Sequence, residues 1–275
     1  MTKTLVLGGG GVTGIAWHLG LLCGLQRAGV PLTDAGTVIG TSAGSVVGTL
    51  VAAGADLEAA VHAQQQEVAR PGGRPAPRPG SWLASLSVLL DPSLPPREAR
   101  ARVGAMALAA STQDEASWLA RIGGLLPVHE WPAGDLRLVV VDTADGQDRV
   151  LDAASGAPLP HAVAASCAVP GLMPPVTIGG RRYMDGGVRL GAGADLAAGA
   201  ERLVVIAPMA ALDRDRIVAE MAASGAGKTL LIEPDAAALE AFGPDVMDPV
   251  RRPAAVRAGL RQGEELAGAV RPIWC

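Results

Sequence analysis

Gly40-Thr41-Ser42-Ala43-Gly44 (GTSAG) matches GxSxG, and its surroundings matter more than its letters. The apolar run Thr37 to Ile39 precedes it and reads as a buried strand. A small-residue helical pattern follows it, extended by Gly48. Strand, sharp turn and helix make up the context of a nucleophile elbow, in which a strained backbone exposes the serine Oγ at a sheet edge. Gly40 and Gly44 then let neighbouring backbone approach where a Cβ would clash. The chemistry implied is attack of Ser42 Oγ on an acyl carbonyl. In a chain with 36 glycines the bland reading of the pentapeptide is coincidence, and only the flanking elements argue against it.

A second glycine cluster, Gly8 to Gly14 (GGGGVTG), also sits between an apolar strand and a helix. Gly9 to Gly14 fits GxGxxG, and Asp34 lies twenty residues further on, where a dinucleotide site would place its ribose-binding acid. The underlying physics is broader: free amides at a helix N-terminus, with the positive end of the dipole, attract any anion. A tetrahedral oxyanion needs the same donors about 3 Å away, and Gly9, Gly10 and Gly11 are placed to supply them. Neighbouring parallel strands would open the glycine loop and Ser42 on one sheet edge. Dinucleotide binding through Gly9, Gly11, Gly14 and Asp34 stays open as an alternative, but leaves GTSAG unexplained.

A serine nucleophile needs a base. The histidines are His18, His62, His129 and His161, so none follows position 161. An α/β-hydrolase orders its triad Ser, Asp or Glu, then His, which leaves pairings such as Asp142 with His161. It would also place several strands ahead of the one that leads to Ser42, where here a single apolar strand precedes it. Asp185-Gly186-Gly187 offers a different base: a carboxylate ending a short strand, with two glycines leaving room for a close hydroxyl. Taken alone, Asp-Gly-Gly is most often an ordinary turn.

GGGGVTG, GTSAG and DGG in that order, with Ala165 to Pro175 (ASCAVPGLMPP) ahead of the Asp, resemble the patatin-like phospholipases. The resemblance spans Leu5 to Gly187. It implies an α/β/α sandwich with a mainly parallel central sheet, a Ser42–Asp185 dyad and an oxyanion loop at Gly9, Gly10 and Gly11. Gly14, Gly40, Gly44, Gly186 and Gly187 would support the motifs. It further implies hydrolysis of fatty-acyl esters of phospholipids or related lipids through an acyl-enzyme, without cofactor or metal. A catalytically silent lipid-binding member of the fold is a further alternative. One departure concerns the substrate: the family carries Arg or Lys just before the last loop glycine, where this chain has Thr13, so that another residue such as Arg189 would have to supply a positive charge.

These residues need elements to hold them. Thr4 to Leu7 predicts a strand, and a helix continues to Leu25; the second strand and helix complete a βαβα opening with parallel strands. A helical pattern runs from Asp56 to about Arg70. Pro71 to Gly80 (PGGRPAPRPG) predicts a surface loop. Helical stretches follow at Trp82 to Leu90, Pro96 to Ala110 and Asp114 to Ile122, an insertion over roughly 71–130. Strands are expected at Leu136 to Asp142 and Arg149 to Asp152, joined at Asp145-Gly146, and at Val176 to Ile178 and Arg182 to Met184, joined at Gly179-Gly180. Strands at Leu203 to Ile206 and Leu230 to Glu233 and a helix from Pro253 to Ala267 finish a single domain over 1–275.

Composition sets the frame. Across 275 residues, apolar types make up 49% and charged types 18%, with only five Trp, one Tyr and one Phe, so the core is aliphatic. A net charge of −4 with isolated Arg pairs excludes a nucleic-acid partner. Cys23, Cys167 and Cys275 have no metal-ligand spacing and fit a reducing, cytoplasmic setting. No apolar run reaches eighteen residues, so any membrane contact is peripheral and transient, and the expected partner is the lipid or acyl-ester substrate. Gly225 to Thr229 (GAGKT) resembles the end of a phosphate loop, but the motif's first glycine would fall on Ala222 and a helix precedes it. His129, Glu130 and Trp131 read as structural. Leu83, Leu86, Leu89 and Leu90 read as core rather than a membrane anchor.

Overall fold

The computed structural model describes residues 2–66 and 79–275, the side chains of 79–81 excepted. In chain order the elements are β1 (Lys3–Leu7), α1 (Gly11–Arg27), β2 (Thr37–Gly40), α2 (Ala43–Ala52), α3 (Leu57–Gln65), α4 (Pro79–Leu89), α5 (Pro96–Ala109), α6 (Glu115–Gly123) and β3 (Asp135–Asp142). There follow β4 (Asp148–Leu151), α7 (Leu159–Ser166), β5 (Val176–Ile178), β6 (Arg181–Asp185), β7 (Arg202–Ile206), α8 (Arg214–Ala223), β8 (Lys228–Ile232), α9 (Ala236–Phe242) and α10 (Arg252–Trp274). This is the expected α/β fold, with a mixed sheet flanked by helices. Of the expected loop, 71–78 lie outside the described residues, as do 67–70 of the preceding helical pattern. Pro79 and Gly80 belong to α4 instead, because a proline at the first helical position loses no intrahelical hydrogen bond.

The chain divides into two compact units. The first comprises Met1–Arg70, Pro132–Leu136 and Gly191–Cys275. Its strands run β2-β1-β7-β8, all parallel, with Leu7 opposite both Gly40 and Ile206. α1 is apolar nearly all round, and is buried from Thr13 to Leu25 apart from Ile15. One of its faces is packed by α10 through glycines: a Cβ on Gly20 would overlap Val256 O, on Gly24 Leu260 O, on Gly259 Trp17 O and on Gly263 Leu21 O. The two backbones therefore touch, with the helices running in the same direction. Within this contact the buried Trp17 Nε1–H donates to Gln262 Oε1 (3.0 Å), and Gln262 Nε2–H donates to Glu233 O (2.7 Å). α10 runs beyond the expected Ala267 to Trp274, whose indole N–H donates to Pro31 O and Asp34 Oδ1.

The second unit comprises Pro71–Trp131 and Arg137–Leu190. Its strands pair antiparallel: β3 with β4 and β6, and β6 with β5. Both expected hairpin turns form, with positive φ at Gly146, Gly179 and Gly180. The core gathers Val103, Ala107, Val141, Met184 and Val188, with Val88 and Leu89 packed against it. Leu83 and Leu90 do not join it as their spacing suggested: they are 59% and 55% exposed, because α4 carries apolar residues all round and buries the face that holds Ser85, Val88 and Leu89. α7, which the alternation of strand signals hid, is tied by Ser166 Oγ–H to Val139 O and by Trp118 Nε1–H to Ala164 O. No helix among the described residues is long and apolar enough to cross a membrane.

Candidate active site

In the first unit the parallel register of β1 and β2 brings their C-terminal ends to one sheet edge, where Thr41 N–H donates to Leu7 O (3.0 Å). The chain then reverses into α2 through Ser42, at φ 54° and ψ −118°. A serine gains nothing in isolation from positive φ. The conformation is imposed, at a cost of about 1–3 kcal/mol, by the elements on either side. Ser42 O accepts from Ser45 N–H (2.8 Å) and Ser45 Oγ–H (2.7 Å), which pins the turn from the helix side. The flanking glycines are obligatory. A Cβ on Gly40 would lie 2.6 Å from Gly44 O, and one on Gly44 would overlap the Leu7 carbonyl of the central strand β1. Gly44→Ala is therefore expected to destabilise the fold by roughly 4 kcal/mol or more, read as a lower urea midpoint; an unchanged midpoint would contradict this packing.

The glycine loop lies beside this turn. A Cβ on Gly9 would stand 3.5 Å from Ser42 Cβ. On Gly10 it would meet Pro208 Cβ at 2.6 Å, and Gly11 holds φ +61° with its Cβ direction facing Val246 O at 2.7 Å. Gly14 opens the α1 ladder by donating to Gly10 O (2.8 Å), so the amides of Gly9, Gly10 and Gly11 lie ahead of the intrahelical bonds. No acidic residue occupies the first turn of α1, so the positive end of its dipole is not offset there. Gly14 itself is not sterically required, since a Cβ would find ordinary contacts of 3.5 Å and 3.6 Å with Pro208 and Ala43. Thr13 is fully buried, and its amide (3.1 Å) and hydroxyl (3.4 Å) both donate to Val246 O. It clasps the loop that carries Val246.

Asp34 does not join this group. It pairs with Lys3 Nζ (2.7 Å) at the first residue of β1, the end of the strands opposite the glycine loop. The dinucleotide arrangement is therefore not assembled. His18, about two turns into α1, is also a core residue. Its Nε2 lies 3.4 Å from Ile206 O, which also accepts from Gly8 N–H (2.9 Å). Burial pushes its pKa down to about 4, against smaller upward effects of the Ile206 and Gly14 carbonyls. The unfolded chain takes up a proton near pH 6.5 that the folded chain refuses until about pH 4. His18 thus contributes no penalty above pH 6.5, and costs about 3 kcal/mol progressively as pH falls from 6.5 to 4. Urea unfolding at pH 7 and 4.5 should show a smaller loss in His18→Met than in the parent; parallel losses would remove His18 from the acid sensitivity.

In the second unit Asp185 ends β6 opposite Val140, and its amide donates to Ala168 O (2.9 Å). The stretch Ala165 to Pro175 thus supplies the carbonyl that fixes the Asp185 backbone. The side chain is buried, and its Oδ1 accepts from Gly187 N–H at 2.7 Å. At Gly187 a Cβ would sit 3.0 Å from the same oxygen, so glycine gives the turn its closeness. Gly186 to Arg189 form a single 3-10 turn. Arg189 Nε–H donates to Asp148 Oδ2 (2.7 Å), so its charge is already met by an acid.

The remaining sequence candidates have structural roles. Asp142 accepts from Arg181 Nε–H and Ala144 N–H. His129 Nε2 meets Gly123 O (3.0 Å), and Trp131 Nε1–H donates to Ala157 O (2.7 Å). Lys228 opens a strand and donates to Pro272 O (2.8 Å), which is no phosphate loop. Among the described residues no cluster of three His, Cys, Asp or Glu is able to hold a metal. The sequence did not point to Pro208 or Val246, whose contacts are made by backbone or small apolar groups, nor to Glu220. For Glu220 a signal existed: an acid on the helical stripe of Ile217, Met221 and Ser224.

A family model described as patatin-like phospholipase matches residues 5–198. The crystal structure of VipD from Legionella pneumophila superimposes with a TM-score of 0.50 at 16% identity, covering 98% of this chain and 67% of that one. The type III effector protein ExoU gives a TM-score of 0.40 at 18% identity, with 96% and 53% covered. This chain thus spans about two thirds of the first protein and half of the second. No curated protein matches it in sequence.

Proposed function

The chain belongs to the patatin-like phospholipase family, and from that premise we propose that it is a serine hydrolase of fatty-acyl lipid esters, with Ser42 as nucleophile and Asp185 as base. The family implies lipid acyl hydrolysis. The observation that carries the finer assignment is the turn at Ser42, a strained serine held between two obligatory glycines with Gly9 against it. In this reading Asp185 takes the Ser42 proton as Oγ bonds to the acyl carbon, and the amides of Gly9, Gly10 and Gly11 receive the oxyanion. The alcohol leaves with a proton, and water activated by Asp185 then releases the fatty acid and regenerates Ser42. A carboxylate is a weak base for a hydroxyl, so most of the barrier reduction falls to the oxyanion amides and to desolvation.

Labelling with a fluorophosphonate tests this, followed by a screen of phospholipids, lysophospholipids and acylglycerols of varied chain length. Modification of Ser42 with release of fatty acid is expected. Lipid binding with neither labelling nor turnover would instead identify a silent member of the fold.

A further inference from the structure

Five residues beyond Asp185 stands the second non-glycine residue with positive φ among the described residues, Leu190, at φ 60° and ψ 163°. That region is sparsely populated by any residue except glycine, and a leucine stays there only when its surroundings over-determine it. On its N-terminal side the turn is held by Leu190 N–H to Gly187 O (3.0 Å) and by Arg189 to Asp148. On its C-terminal side the chain passes through Gly191 (φ 76°) and Gly193 (φ 84°) onto a single carboxylate oxygen. Glu220 Oε2 accepts from Ala192 N–H (2.9 Å), Gly193 N–H (2.8 Å) and Ala194 N–H (3.2 Å). Three successive amides wrapped on one anion form a nest, here filled by the protein's own side chain. Glu220 is buried on α8, and a Cβ on Gly191 would overlap its carboxylate.

We propose that Glu220 is a positioning residue for the reaction: its three backbone bonds fix the segment after Leu190, and so hold the strained turn that presents Asp185. This rests on the assignment of Asp185 as base. The link runs along the chain. Without the anchor Leu190 relaxes to negative φ, the 3-10 turn from Gly186 to Arg189 loosens, and Gly187 N–H no longer orients Asp185 Oδ1. A carboxylate displaced by about 1 Å loses on the order of a hundredfold in rate while substrate binding survives. A plainly structural role would lower the melting temperature and leave the kinetic constants of the folded fraction alone.

The experiment measures kcat and KM for a fatty-acyl ester with Glu220→Gln and Glu220→Ala, and with Leu190→Gly added to each. Glu220→Gln keeps one oxygen for the three amides and is expected to lower kcat about tenfold. Glu220→Ala is expected to lower it about a hundredfold, in both cases with KM within about twofold. Leu190→Gly makes the turn conformation cheap, and is expected to restore most of the lost kcat in either background. Parental kcat in a folded Glu220→Gln variant overturns the proposal, as does failure of Leu190→Gly to rescue. If Glu220→Ala does not fold, the Gln pair carries the test alone. Asp185→Asn run alongside keeps the two ideas separate. If it is active the base assignment has failed; if it is inactive while the Glu220 variants are normal, only the anchor has.

Discussion

Ser42→Ala is expected to lower kcat for ester hydrolysis by at least about 10⁴-fold and to abolish fluorophosphonate labelling, with no loss of the folded state. The size follows from the role: without Oγ no acyl-enzyme forms, and the oxyanion amides alone retain only a small residual acceleration. Replacement by glycine makes the point more sharply. At φ 54° the elbow is strained for serine and acceptable for glycine. Ser42→Gly should therefore be equally inactive yet more stable than the parent, by about 1 kcal/mol. Urea unfolding of parent, Ala and Gly variants in parallel with a fatty-acid release assay checks both halves. Persistent turnover in either variant would remove Ser42 as nucleophile. A Gly variant less stable than the Ala variant would show that the turn is not under strain.

Asp185→Asn is expected to lower kcat by about 10³–10⁴-fold with KM little changed. The asparagine oxygen retains the Gly187 amide, so the turn keeps its geometry while the proton acceptor is lost. If the two residues act as one unit, Ser42→Ala combined with Asp185→Asn is no worse than Ser42→Ala alone. Labelling rate supplies an independent reading: Ser42 in the Asn variant should react with a fluorophosphonate slowly, by a similar factor. Full-rate labelling beside lost turnover would place Asp185 in deacylation only.

Much of this arrangement was legible in the residues because it depends on local backbone rules. GTSAG read as an elbow since glycines flank a serine between a β-branched strand and a small-residue helix, and neither of those glycines has room for a Cβ. The two hairpins announced themselves through glycines that take positive φ. What escaped notice depends on partners distant in sequence. Gly14 belongs to the motif yet has room for a side chain, while Gly10 has none because Pro208, arriving from β7, fills the space. Thr13 looked like a missing charge and is a buried clasp on Val246. Leu83 and Leu90 share a helical stripe with no core behind it, a distinction that spacing alone does not carry. Asp34 sits at the right sequence distance from the glycine loop and the wrong end of the strands.

The glycine seam between α1 and α10 bears on when the site comes into being. α1 follows directly from the loop assigned to the oxyanion, yet its fit against a neighbouring backbone depends on a helix made much later: Trp274 hydrogen-bonds Pro31, 243 positions upstream. During vectorial synthesis the nascent chain would emerge with Ser42 already translated but with this partner of α1 still inside the ribosome. Contacts of such long range form late and slowly. The packing of α1 against its neighbour is therefore completed only after α10 has been made, which places this seam among the late contacts of folding.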